Sequence, residues 1–214
     1  MKSLIEQMTE NKIIAIVRGL APEQVVPAVE ALYRGGIRLV EVTFNQSDPD
    51  GDRQLADSIS RLAGHFADRM RIGAGTVLSG TQVQIAADAG ARFIISPNVN
   101  EAVIRETLRQ SLISIPGALT PSEIMRAHEL GAHFVKLFPA GSMGIDYFKA
   151  IRAPISHVRM MAVGGIDTDN MADWLKAGAA GFGIGGNLVS KTLIDQERYD
   201  ELAELAARFT AAVS

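Results

Sequence analysis

One phrase recurs four times along this chain: Arg34-Gly35-Gly36-Ile37-Arg38-Leu39-Val40, Asp88-Ala89-Gly90-Ala91-Arg92-Phe93-Ile94, Glu129-Leu130-Gly131-Ala132-His133-Phe134-Val135 and Lys176-Ala177-Gly178-Ala179-Ala180-Gly181-Phe182. Each reads as the end of a helix, a glycine and the start of a strand. Glycine at that place accepts the left-handed conformation that closes a helix, and the small residues around it let the chain turn straight into the next strand. Returning from helix to strand in this way builds a parallel sheet, because consecutive parallel strands need a crossover between them.

Short apolar runs supply the strands: Ile13-Val17, Leu39-Val42, Met70-Gly73, Phe93-Ser96, Ile113-Ile115, Phe134-Leu137, Val158-Ala162 and Gly181-Ile184. Helical stretches lie between them, at Pro22-Tyr33, Gln54-His65, Thr81-Asp88, Glu101-Arg109, Ser122-Leu130, Ile145-Ile151, Asn170-Lys176 and Asp195-Ala212. The recurring phrase falls before the second, fourth, sixth and eighth strands. Eight such units predict a (β/α)8 TIM barrel, an α/β fold in a single domain over residues 1–214. An open doubly wound sheet is the second choice, disfavoured because no Gly-x-Gly-x-x-Gly follows the first strand. Over 214 residues each unit has fewer than ~30, so the barrel is lean. The irregular stretch Ser47-Asp52 lacks the spacing and distal Glu of a calcium loop and reads as a turn capping the next helix.

Aromatic residues make up only 6% of the chain, so the core must come from small aliphatic side chains. The net charge of -3 is spread with both signs interspersed, and no nucleic-acid footprint follows from it. No apolar run approaches ~18 residues and Met1-Glu10 lacks a signal-peptide core, which predicts a cytoplasmic protein without a membrane partner. There is no cysteine, which removes disulfides, thiolate metal sites and cysteine nucleophiles together.

In such a barrel the active site lies where strands end, so strand-closing residues are the candidates. Lys136, within Phe134-Val135-Lys136-Leu137-Phe138, shares one face of its strand with Phe134 and Phe138. A buried, unpaired ammonium tends to lose its proton, and a neutral lysine is a nucleophile. Glu41 is likewise a lone charge inside Leu39-Val40-Glu41-Val42-Thr43 and could move protons beside it. The plainer alternative is a structural Glu-Lys ion pair. Gly164-Gly165 and Gly185-Gly186-Asn187 follow the last two strands, where backbone N–H groups can cradle a phosphate. Arg18 could grip a carboxylate, and Thr76 offers a hydroxyl after the third strand. His65, His128, His133 and His157 fall in helices or at strand starts and assemble no metal cluster.

Taken in order, Glu41-Val42-Thr43, Gly73-Ala74-Gly75-Thr76-Val77, Ser96-Pro97, Ile115-Pro116-Gly117, Lys136-Leu137-Phe138-Pro139-Ala140, Val163-Gly164-Gly165-Ile166 and Ile184-Gly185-Gly186 closely resemble the 2-keto-3-deoxy-6-phosphogluconate aldolase family. That family includes 4-hydroxy-2-oxoglutarate and 2-keto-3-deoxy-6-phosphogalactonate aldolases. The resemblance implies a metal-independent class I aldolase that uses no cofactor, acts on a small-molecule keto acid, and forms a homotrimer. It makes Lys136 the Schiff-base residue and Glu41 the proton shuttle. By the same resemblance Thr76 contacts the pyruvate carboxylate, Pro97 and Phe138 wall the pocket, and Gly164, Gly165, Gly185 and Gly186 hold phosphate. The chain departs from the gluconate-type pattern at Asn45, a substrate-binding candidate at a place where an arginine is common. Carboxylate binding then falls to Arg18, as in galactonate-type relatives. Asn187 replaces a frequent serine after the last glycine pair, and the Asp48-Asp52 loop is longer than usual. A phosphosugar isomerase or epimerase on the same barrel, and a non-catalytic phosphometabolite-binding barrel, are the competing readings.

Overall fold

The computed structural model describes residues 2–213. Its strands are β1 (Ile13–Val17), β2 (Leu39–Thr43), β3 (Arg71–Gly75), β4 (Phe93–Ile95), β5 (Ile113–Ile115), β6 (Gly117–Ala118), β7 (Val135–Leu137), β8 (Met160–Val163) and β9 (Gly181–Ile184). Its helices are α1 (Leu4–Asn11), α2 (Pro22–Arg34), α3 (Gly51–Phe66), α4 (Gly80–Asp88), α5 (Glu101–Arg109), α6 (Pro121–Glu129), α7 (Ala140–Met143), α8 (Ile145–Arg152), α9 (Met171–Lys176), α10 (Lys191–Asp195) and α11 (Tyr199–Ala211). All ladders are parallel, in the order β5-β4-β3-β2-β1-β9-β8-β7-β6. The pairing of β1 with both β2 and β9 is that of a barrel rather than an open doubly wound sheet.

The two ends of that order, β5 and β6, are halves of one barrel strand. The first half pairs with β4 and the second with β7. Pro116 sits between them and has no N–H to give, so the ladder is interrupted there. Its carbonyl still accepts from the Lys136 N–H at 2.9 Å. Nine segments are therefore the eight strands expected from sequence. A Cβ on Gly117 would lie 2.5 Å from the Pro97 carbonyl, so the split strand presses on the exit of β4 only because that residue has no side chain.

The four recurring glycines behave alike: Gly36, Gly90, Gly131 and Gly178 have φ of +94°, +100°, +95° and +97°. Each carries the chain from a helix into the following strand. The helix starts are also specified locally. In α6, for example, Pro121 opens the helix, while Thr120 and Glu123 form a reciprocal capping box, an arrangement contributing about 1 kcal/mol.

Strand alternation divides the core in two. Outward residues such as Val40, Val42, Val135 and Leu137 pack under the helices. Inward residues Ile14, Leu39, Phe93, Ile95, Ile113, Ile115, Phe134 and Met161 fill the barrel itself. Met8 of α1 joins this inner cluster at 1% exposure, so α1 stoppers the amino-terminal end of the barrel.

Four element expectations are corrected, the first being the short helix α7 (Ala140–Met143), to which the sequence assigned no secondary structure. The segment before β1, given no secondary structure from sequence, is helix α1, capped by Ser3 and Glu6. The helix expected over Asp195-Ala212 is α11, which begins only at Tyr199; a separate helix, α10, precedes it over Lys191–Asp195, with Glu197 between them at φ +55°. Finally, α3 begins at Gly51 rather than Gln54, because Asp48 accepts from the Asp50 N–H at 2.9 Å and the Gln54 Nε2 at 3.0 Å. The other boundaries move by one or two residues, as element ends commonly do.

Candidate active site

Above the filled interior, a cavity of about 690 Å³ opens at the carboxyl ends of the strands. Its lining gathers every candidate named from sequence except Asn45. Two of these residues, Glu41 and Lys136, project inward from β2 and β7, one layer above Leu39 and Phe134 of the inner cluster. The alternation that buries the core is thus the alternation that delivers the charged pair to the cavity floor.

Glu41 is 2% exposed, and its Oε2 has no hydrogen-bond partner among the described residues. Burial pushes its carboxyl above the ordinary range, while Lys136 and Arg18 nearby pull it back. Lys136 is held below the ordinary lysine range by burial, with Glu41 opposing the shift and Arg18 adding to it. Both groups are thereby biased toward their neutral forms, an amine beside a carboxylic acid. The Lys136 Nζ lies 4.7 Å from the centre of the Phe138 ring, which walls the cavity at 40% exposure. Room for the Glu41 carboxyl comes from Gly75, where a Cβ would lie 2.7 Å from the Glu41 Cδ.

Thr76, the residue after β3, has φ of +58°, a left-handed conformation that β-branched residues resist. Its Oγ1 lies 3.5 Å from the Nη2 of Arg18, which follows β1. Both line the cavity, together with Pro97 after β4. On the opposite stretch of the rim, Gly164 and Gly165 adopt φ of +90° and +73°. The N–H groups of Gly165, Ile166, Gly186 and Asn187 have no acceptor among the described residues, while Gly185 and Gly186 face open space. The Asn187 Nδ2 donates to the Ile166 carbonyl at 3.1 Å, tying the two glycine loops together. Unused N–H groups on bare backbone are what an anion requires.

Asn45 stands apart. Its Oδ1 accepts from the Ser47 N–H and hydroxyl, and it lines a smaller crevice beside β2 with Thr43. Thr43 shares the strand face of Glu41 but is absent from the cavity lining, and its Oγ1 has no partner among the described residues. The four histidines also lie outside the lining. His65 pairs with Glu30, His128 and His157 meet edge to face, and His133 accepts the Ser114 N–H.

Sequence reasoning missed Lys191, which lines the cavity and pairs with Asp195 at 2.9 Å. It opens a helix rather than closing a strand, so inspecting strand ends passed over it. The helix-capping Ser190 just before it was the available signal. Leu20, Ile16 and Val189, also in the lining, look in sequence like ordinary core residues.

A family model describing KDPG and KHG aldolases matches residues 4–205. The 2-dehydro-3-deoxy-6-phosphogalactonate aldolase of Escherichia coli (strain K12) is 34% identical over 209 residues, which cover 97% of this chain and 97% of that protein. The 2-dehydro-3-deoxy-phosphogluconate aldolase of Treponema pallidum (strain Nichols) is 36% identical over 176 residues, covering 82% and 80%. Among solved structures, the KDPG aldolase of Legionella pneumophila, with pyruvate captured as a covalent carbinolamine intermediate, matches with a TM-score of 0.85 at 29% identity, over 96% of this chain and 97% of that one.

Proposed function

The chain belongs to the KDPG and KHG aldolase family, and on that premise we propose that it cleaves a 2-keto-3-deoxy-6-phospho sugar acid of gluconate or galactonate type to pyruvate and glyceraldehyde 3-phosphate. Cleavage of 4-hydroxy-2-oxoglutarate to pyruvate and glyoxylate is the same chemistry on a shorter substrate. The observation that carries this reading is the pair Lys136 and Glu41, both desolvated on the floor of one cavity. An isomerase or epimerase, or a barrel that only binds a phosphometabolite, would use the glycine loops and leave Lys136 without a task.

In this reading the neutral Lys136 amine attacks the 2-keto carbon and forms a carbinolamine, which loses water to give an iminium. Glu41 supplies the proton that turns the departing hydroxyl into water. The resulting carboxylate then takes the C4-hydroxyl proton as the C3–C4 bond breaks. The bonding electrons flow into the iminium, the aldehyde leaves, and pyruvate stays on Lys136 as an enamine. Glu41 returns the proton to C3, and water releases pyruvate and the free lysine. Arg18 and Thr76 hold the substrate carboxylate, and Pro97 and Phe138 wall the chain between. The phosphate meets the free N–H groups of the Gly164-Gly165 and Gly185-Gly186 loops, with Asn187 bracing them and Lys191 supplying positive charge at the rim. The protein is read as cytoplasmic and as one domain over residues 1–214 from its sequence, and as a homotrimer from the family resemblance.

Borohydride reduction in the presence of pyruvate is expected to fix a covalent adduct on Lys136, and Lys136→Ala to abolish it. Mapping of the label to another lysine, or no label at all, would refute the mechanism. Parallel assays on both phosphorylated epimers and on 4-hydroxy-2-oxoglutarate identify the preferred substrate.

A further inference from the structure

Beyond the last rung of the β2–β3 ladder, Gln46 continues with its side chain what the backbone has just stopped doing. Thr43 is in register with Gly75, and the Phe44 N–H donates to the Gly75 carbonyl at 2.9 Å. There β3 ends and the chain turns off through Thr76 in its left-handed conformation. The Thr76 carbonyl accepts from the Gln46 Nε2 at 2.7 Å. On the other end of the same peptide, the Val77 N–H donates to the Ile95 carbonyl at 3.2 Å. The peptide after Thr76 is therefore gripped from the β2 side and the β4 side at once.

Gln46 is itself held. Its Oε1 accepts from the Gln82 Nε2 at 3.0 Å, and that same nitrogen reaches Asp52 Oδ1 at 3.3 Å. The Gln82 Oε1 in turn accepts the Leu78 N–H at 2.9 Å. This clasp joins the loop after β2, the first turns of α3 and α4, and the loop after β3. None of Gln46, Gln82 or Asp52 lines the cavity, whereas Thr76 does, with its hydroxyl facing Arg18. Holding that peptide fixes the ψ of Thr76 and so supports the left-handed conformation in which the chain presents this hydroxyl to Arg18.

We propose that Gln46 is a positioning residue: by holding the Thr76 carbonyl it keeps the Thr76 hydroxyl and Arg18 in the arrangement that receives the keto-acid carboxylate. The role rests on the reading of Arg18 and Thr76 as the carboxylate site. It gives a task to the loop after β2, whose candidate ligand Asn45 lies outside the cavity.

Gln46→Met keeps the side-chain volume and removes the donor. The variant is assayed by pyruvate proton exchange with solvent, by thermal unfolding and by borohydride trapping. KM for pyruvate is expected to rise about fivefold, the worth of one ordinary hydrogen bond. The turnover number should stay within twofold, with an unchanged Tm and the adduct still on Lys136. In a Thr76→Ala background the same substitution should add nothing further, because the group being positioned is gone. Gln46→Glu, which keeps the length but cannot donate when ionised, should reproduce the KM defect and serves if the Met variant fails to fold. An unchanged KM, a parallel loss of turnover and Tm, or full additivity with Thr76→Ala would overturn the role. Absence of a wild-type adduct would instead overturn the aldolase mechanism beneath it.

Discussion

Gly75 shows how closely single atoms govern the site. The Cβ of an alanine would press on the Glu41 carboxyl, the movable end of a side chain, so the clash can be relieved by shifting Glu41. Gly75→Ala is therefore expected to lower Tm only slightly while reducing aldol cleavage at least tenfold, measured on the same preparation. Glu41→Gln separates function from stability in another way. A folded-state pKa raised by burial means that the stability contribution of the group is present below its ordinary value and lost as pH rises through the raised one. At neutral pH the buried acid is a liability. The Gln variant should hold or raise Tm there while slowing pyruvate proton exchange about 100-fold or more. It also removes the one neighbour that favours the charged lysine, so the acid limb of adduct formation should move to lower pH; a shift upward would mean that Glu41 does not face Lys136. Lys136 and Glu41 were legible as charges breaking apolar alternation. Lys191 and Gln46 were not, since their positions matter through partners distant in sequence.

Elements were legible where the chain encodes them locally. The recurring helix-glycine-strand phrase located four strand starts, and the conformation of each glycine follows from it. Gly131→Ala, forced into φ +95° and meeting the Leu108 Cδ1 at 3.0 Å, should cost more than ~1 kcal/mol in denaturant unfolding and leave Lys136 trapping unchanged. Elements were illegible where tertiary contact decides them. Nothing in Leu4–Asn11 announces that Met8 will enter the barrel, and the Pro116 break looks in sequence like the end of a strand. The turn between α10 and α11 requires a left-handed glutamate, which propensity alone would not choose.

The whole molecule divides into a sealed end and a working end. The sealed end is tested by Met8→Ala, which removes a fully packed side chain of the inner cluster. Unfolding should become easier by roughly 2–5 kcal/mol, with adduct formation on Lys136 unaffected in the folded protein. Where Glu41 and Lys136 meet Ile14, Ile95, Ile115 and Met161 there is a void of about 10 Å³, too small for a substrate. In the proposed mechanism the fragment tethered to Lys136 lies at the cavity floor and the untethered aldehyde toward the rim. There the aldehyde departs before pyruvate, because the enamine left by C3–C4 cleavage is protonated and hydrolysed only afterwards. With the stopper helix filling the amino-terminal end, the rim at the carboxyl ends of the strands is the side on which this cavity opens.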